Sequence, residues 1–171
     1  MRQGELLDAS IETTARSARD YPNRPCLAVS LAVFRFGRVL LAKRGNPPFA
    51  GAFSLPGGLV EVGETLEAAA LRELWEEVQV DARIIAFNRH VESIERDGAD
   101  KIRHHYVIAS FVGEWIAGEG TPGPEAAEIV WAEPARLADL DCTPHVVAVV
   151  EAAQSLLALR SEGRAIAKAC P

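Results

Sequence analysis

Hydrophobic and polar positions alternate along this chain in recognisably different periods, and each change of period marks an element. From Cys26 to Phe36 almost every position is apolar (CLAVSLAVFRF), the look of a strand buried on both faces. Gly37 turns this run into a second strand, Arg38 to Lys43, and Asn46-Pro47-Pro48 with Gly51 marks a loop. Between Thr65 and Val78 the period lengthens: Leu66, Ala70, Leu74 and Val78 recur every four residues and form the apolar stripe of a helix. Thr65 suits its N-cap, and Glu67 in the first turn suits the helix dipole. Val80–Glu95 and Lys101–Val112 then read as two strands joined at Asp97-Gly98, a hairpin signal. A glycine-rich loop, Gly118 to Gly123, precedes a short strand at Ile129–Trp131 and an amphipathic helix from Thr143 to Leu159.

These elements predict an α/β domain, a mixed sheet sandwiched between helices, over residues 25–160. Residues 1–24 read as a weakly helical segment and an extended entry, which Pro22 and Pro25 enforce, and residues 161–171 read as a tail. Composition agrees: 171 residues, 49% apolar and 25% charged, suffice for one core. Lys+Arg 18 against Asp+Glu 24 leaves a net charge of −6, which argues against nucleic acid or an anionic membrane as partner. The first residues lack the apolar stretch of a signal peptide, and Cys26, Cys142 and Cys170 are too scattered for a disulfide framework. Reduced thiols and a cytoplasmic location are the expectation.

The acidic balance becomes chemistry at Arg72-Glu73-Leu74-Trp75-Glu76-Glu77. On a helix Glu73, Glu76 and Glu77 share one face, where like charges repel by a few tenths of a kcal/mol per pair. A hard divalent cation reverses that sign, and Mg²⁺ keeps coordination positions open for water and phosphate oxygens. The glycine-rich turn Leu55-Pro56-Gly57-Gly58 is no P-loop, since Glu64-Thr65 stands where that motif carries Lys-Ser or Lys-Thr. Nor is there a His-Glu-x-x-His zinc site. His104 and His105 are neighbours on a strand, point to opposite faces, and read as polar strand surface. At the end of the second strand alternation likewise separates Lys43 from Arg44. Arg44, whose fork grips phosphate oxygens in pairs, is the candidate phosphate contact. Phe49 and Phe53, beside the glycine-rich turn, are candidates for lining a nucleoside pocket, while Trp75 and Trp115 suit packing or a rim.

The run from Gly58 to Val80 resembles the Nudix box, Gly-x5-Glu-x7-Arg-Glu-U-x-Glu-Glu-x-Gly-U with U aliphatic, at eight of its nine defined positions. The resemblance implies a metal-dependent hydrolase, with Mg²⁺ or Mn²⁺, that cleaves a nucleoside diphosphate linked to another moiety. It implies Glu73, Glu76 and Glu77 as metal ligands, joined by the Gly57 carbonyl, and Arg72 as the residue that positions a glutamate. Gly58 and Glu64 would support the loop–helix junction, and a proton would be taken by a glutamate, Glu76 or Glu125. Glu119 and Glu128 compete with Glu125. Gln79 departs from the box, replacing a glycine just past the helix end. The lead-in Lys43–Pro48 and the Trp131 region look similar to ADP-ribose pyrophosphatases of the family, but Glu95 stands where that group carries a marker proline. A nucleoside triphosphate is therefore the alternative substrate, and a nucleotide sensor without hydrolysis the rival class. The segment Leu6–Tyr21 could fold over the sheet or over a second subunit, which leaves a homodimer open.

Overall fold

The computed structural model describes residues 20–47 and 49–169, with side chains as far as Glu162. Strand β1 (Cys26–Arg35) and strand β2 (Arg38–Arg44) form a hairpin whose turn, Phe36-Gly37, has φ of 49° and 78°. Two successive left-handed residues match the right-handed twist of the flanking strands. Phe36 is thus turn rather than strand, and its ring is exposed.

The hairpin pairs only at Phe34↔Val39 and Arg35↔Arg38, and then its strands splay. Into the gap runs the glycine-rich turn. Val29 N–H donates to Gly58 O at 2.9 Å, Leu31 N–H to Pro56 O at 2.9 Å, and Val60 N–H to Leu27 O at 3.1 Å. The other edge of β1 pairs in parallel with β5 (Ile102–Ala117), from Cys26↔Tyr106 to Phe34↔Glu114. β5 pairs antiparallel with β4 (Asp81–Arg96). β2 takes β6 (Ala126–Ala132) on one edge and the two-residue β3 (Phe53–Ser54) on the other.

The apolar run of β1 is buried on both faces, as its composition predicts. Val29, Leu31 and Val33 pack with Ala70, Leu74 and Val78 of helix α1 (Leu66–Val78). Ala32 faces the opposite cluster, with Val149, Val150 and Ala153 of helix α2 (Val146–Ala169). A mixed sheet between two helices is the result. Among the described residues no helix is long and apolar enough to cross a membrane.

Some boundaries differ from expectation. β5 runs past Val112 to Ala117 because its partner β4 begins at Asp81, and β6 begins at Ala126 rather than Ile129. β3 and the 3₁₀ turn Pro134–Asp139 carry no distinctive pattern and were not anticipated. α2 starts three residues after Thr143 and continues through the supposed tail to Ala169. The segment 1–19, with most of the proposed subunit-covering stretch, lies outside the described residues.

Helix α1 is capped at both ends. Thr65 Oγ1 accepts from Ala68 N–H at 3.1 Å. At the C-terminus Gln79 sits at φ 52°, ψ 45°, the left-handed position that its place in the motif reserves for glycine. The loop 118–124 folds over this end: Thr121 N–H donates to Val78 O and Gly123 N–H to Glu77 O, both at 2.8 Å. Gly118, at φ 89°, lies so close that a Cβ would stand 2.6 Å from Gln79 O.

Gln79→Gly removes the left-handed strain at a modest cost in chain entropy and is expected to stabilise by about 1 kcal/mol. Thermal melting should rise by about 2–4 °C at this chain length. A fall would show that the Gln79 side chain contributes more than its backbone costs.

Candidate active site

The splay of β1 and β2 determines the site. It lets the turn 56–60 lie against β1 and brings its backbone over the acidic face of α1. A cleft of about 1000 Å³ opens there. It is lined by that helix face, the end of β2, the loop before β6, the start of α2 and one face of the β4–β5 hairpin.

Arg72 ties the acidic end together. Its Nη2 and Nε donate to the two Glu64 carboxylate oxygens at 2.7 and 3.2 Å. Nη1 reaches Glu73 at 3.0 Å and Glu76 at 3.1 Å, and Nη2 also donates to Leu59 O at 3.1 Å. Such charge-assisted, forked bonds are directional as well as strong, so Arg72 fixes three carboxylates and the turn at once. Glu64 also accepts from Glu61 N–H at 2.7 Å. Arg72 chiefly, and this amide second, hold its carboxyl below the usual range.

Two neighbouring glycines make close approaches, Gly57 to fixed backbone and Gly58 to the end of a side chain. A Cβ on Gly57 would stand 2.1 Å from Val29 O, and one on Gly58 2.4 Å from the Glu73 carboxylate. Gly57 N–H donates to Glu77 Oε2 at 3.0 Å. Burial pushes the Glu77 carboxyl up to about 7; the Gly57 amide and the Arg44 guanidinium oppose the shift, and the charges of Glu73 and Glu125 reinforce it. Glu73 is also raised, mainly by burial, with Arg72 opposing.

The loop that caps α1 also places Glu125. A Cβ on Gly123 would stand 2.3 Å from Glu76 O, so only glycine lets the loop approach. Two residues on, Glu125 lines the cleft, its carbonyl bound by Gly45 N–H at 2.9 Å. Its competitors are engaged elsewhere. Glu119 forms a forked pair with Arg35 at 2.7 and 2.9 Å, and Glu128 pairs with Lys43 at 3.1 Å. Arg44, on the opposite face from Lys43, lines the cleft.

Not every candidate arrives. Phe49 lines the cleft, but Phe53 does not: β3 pairing turns its ring into the core beneath α2, where it is 8% exposed. Trp75 is exposed on α1, and Trp115 stacks under the Arg35 guanidinium at 4.3 Å. His104 is also corrected. It is buried rather than on a polar surface, with Nδ1 2.7 Å from Glu95 and Nε2 2.6 Å from Asp20, and it lines the same cleft. His105 faces the other way, so the two do not chelate together. The Asp97-Gly98 signal does not yield this pairing: counting outward from it matches Glu95 with Asp100, whereas the turn closes from Asp97 N–H to Lys101 O and the register shifts between Glu95 and Arg96.

Among the described residues no three acid, histidine or cysteine side chains form a ready-made metal cage, since Glu73 and Glu76 turn to Arg72 and Glu77 to an amide. The donor set nevertheless suits a hard divalent cation: oxygen ligands only, two of them carboxyls raised mainly by burial and further by neighbouring acids.

Comparison with known proteins places this geometry. The NUDIX domain family model matches residues 24–159, and the chain belongs to that family. It is 38% identical over 104 residues to an ADP-ribose pyrophosphatase of Methanocaldococcus jannaschii, a match covering 61% of this chain and 59% of that protein. It is 34% identical to a putative 8-oxo-dGTP diphosphatase 2 of Mycobacterium tuberculosis, over 69% of this chain and 80% of the relative. Among solved structures, the NUDIX domain of Shewanella oneidensis NrtR complexed with ADP ribose shares the fold at a TM-score of 0.67 and 23% identity, covering 92% and 99% of the two chains. Nudix hydrolases generally need divalent metal ions.

Glu77→Gln should abolish nearly all hydrolysis while leaving the metal-free fold more stable at pH 8. The folded-state pKa of Glu77 lies above its unfolded value, so wild-type stability falls as pH rises from about 4.5 towards about 7. A neutral amide avoids that loss, worth about 2 kcal/mol after allowance for partial exposure. Melting curves at pH 5 and pH 8 for both proteins check this; equal pH dependence would contradict it.

Proposed function

We propose that this protein hydrolyses the pyrophosphate bond of a nucleoside diphosphate linked to a second moiety, ADP-ribose or a close derivative, using Mg²⁺ or Mn²⁺. The observation that carries this reading is the shape of the cleft. From the acids it extends towards Phe49 and the start of α2, and also along Val91, Ser93, Tyr106 and Ile108 of the hairpin. A substrate with bulk on both sides of its diphosphate uses both extensions, whereas a triphosphate needs one and a polar outlet. Similarity to the Methanocaldococcus pyrophosphatase supports the same choice.

Glu73, Glu76 and Glu77, with the Gly57 carbonyl, would hold the cations. Bound there, they supply charge neutralisation at the diphosphate and lower the pKa of the attacking water. Arg72 orients Glu73 and Glu76, and Glu64 keeps Arg72 in place. Arg44 grips a phosphate oxygen from the opposite wall. Glu125, within electrostatic reach of Glu73 and Glu77, is placed to accept the proton of the attacking water, with Glu76 as the alternative base. Phe49 offers a ring face to the nucleoside. The protein would work as a cytoplasmic enzyme on a free nucleotide.

A substrate panel at fixed Mg²⁺ tests the reading. ADP-ribose should give AMP and a sugar phosphate with higher kcat/KM than any nucleoside triphosphate. Pyrophosphate release from a triphosphate as the dominant activity would favour the second reading, which the Mycobacterium relative supports.

A further inference from the structure

The wing of the cleft along the hairpin carries polar groups that the hydrolytic chemistry leaves unused. Three cross-strand pairs, Val91↔Ile108, Ser93↔Tyr106 and Glu95↔His104, stand on one face and line it. Ala109 lies beside Val29, against which Gly57 packs. From there to His104 is five residues of β5, about 17 Å at the usual rise. That is farther than a pyrophosphate spans, so this end of the cleft meets whatever the diphosphate carries.

The chemistry of the wing is that of an acceptor. His104 is clasped between Glu95 and Asp20, and a ring with a carboxylate at each nitrogen donates twice only when protonated. Protonated or neutral, the triad keeps a net negative charge. Strand alternation sends neighbouring Arg103 to the other face, and Lys101 lies over the Tyr21 ring at 4.4 Å. Such a wing repels phosphate. Glu95 retains open acceptor sites and 38% side-chain exposure, so it can receive both hydroxyls of a vicinal diol. Tyr106, stacked on His104 at 6.1 Å, and Ile108 offer an apolar floor for the ring that bears them.

We infer that Glu95, held in place by His104 and Asp20, reads the ribose diol of the substrate and so selects a sugar over a further phosphate in this wing. The inference rests on the proposed hydrolysis of a nucleoside diphosphate derivative. The diol can come from the nucleoside or from the terminal ribose, and two analogues separate them: ADP-ribose lacking the adenosine 2′-hydroxyl, and ADP bearing a β-methyl ester in place of the terminal sugar.

The experiment compares kcat and KM of wild type, Glu95→Gln and Asp20→Asn on ADP-ribose and both analogues, with melting temperatures as the check on folding. Wild type should disfavour one analogue by about tenfold in kcat/KM, which identifies the diol. Glu95→Gln should raise the KM for ADP-ribose about tenfold, change kcat less than twofold, and bring that discrimination close to one. Asp20→Asn, which loosens the clasp without touching substrate, should keep most of it. Discrimination that survives in Glu95→Gln, or that Asp20→Asn erases equally, overturns the inference while leaving the hydrolase reading intact. A wild type inactive on every diphosphate substrate overturns both.

Discussion

Charge crowding is the constraint on which the rest of this structure depends. Glu73, Glu76, Glu77 and Glu125 converge on one partly desolvated cleft, and Arg72 is the cation that makes the arrangement tolerable in the folded chain. Its five hydrogen bonds reach two helix carboxylates, Glu64 and the Leu59 carbonyl, and so join α1 to the turn that precedes it. Two guanidiniums, Arg72 and Arg44, face five acids once Glu64 is counted, and the Glu77 carboxyl is raised to about 7, mainly by burial and further by the charges of Glu73 and Glu125. A divalent cation is the natural complement to that deficit.

The fold supplies the convergence by a departure from regular pairing. Because β1 and β2 part after two residue pairs, the turn 56–60 can hydrogen-bond to β1 and bring Gly57 to the helix face. Gly57 permits a backbone contact with Val29 that no side chain would allow, and Gly58 leaves room for the Glu73 carboxylate where it stands. At the other end of α1, the loop 118–124 satisfies the last carbonyls and carries Glu125 to the cleft. Capping the helix and placing Glu125 at the cleft therefore fall to one loop, which explains why Gly123 is as constrained as the glycines of the turn.

Much of this was legible in the residues. The four-residue period of α1, the two-sided apolar run of β1 and the carboxylates at 73, 76 and 77 were all readable, and strand alternation correctly separated Arg44 from Lys43. Other features were not. Phe53 and Phe49 look alike in sequence, and only the short β3 pairing with Lys43 takes one into the core. His104 looked like polar surface because its clasp depends on Asp20, brought close only when the segment before β1 lies along the hairpin. The length of β5 followed from its partner strand and not from its own composition.

Melting with added divalent cation tests the central claim most directly. At 100 times the dissociation constant, Mg²⁺ or Mn²⁺ binding to the native cleft should add about 2.7 kcal/mol. That corresponds to a rise of about 5–10 °C at this size. NaCl at matched ionic strength should give a much smaller shift, and Glu73→Gln/Glu77→Gln should lose most of the divalent increment. Equal shifts with Mg²⁺ and NaCl, or an undiminished divalent effect in the double variant, would contradict the account.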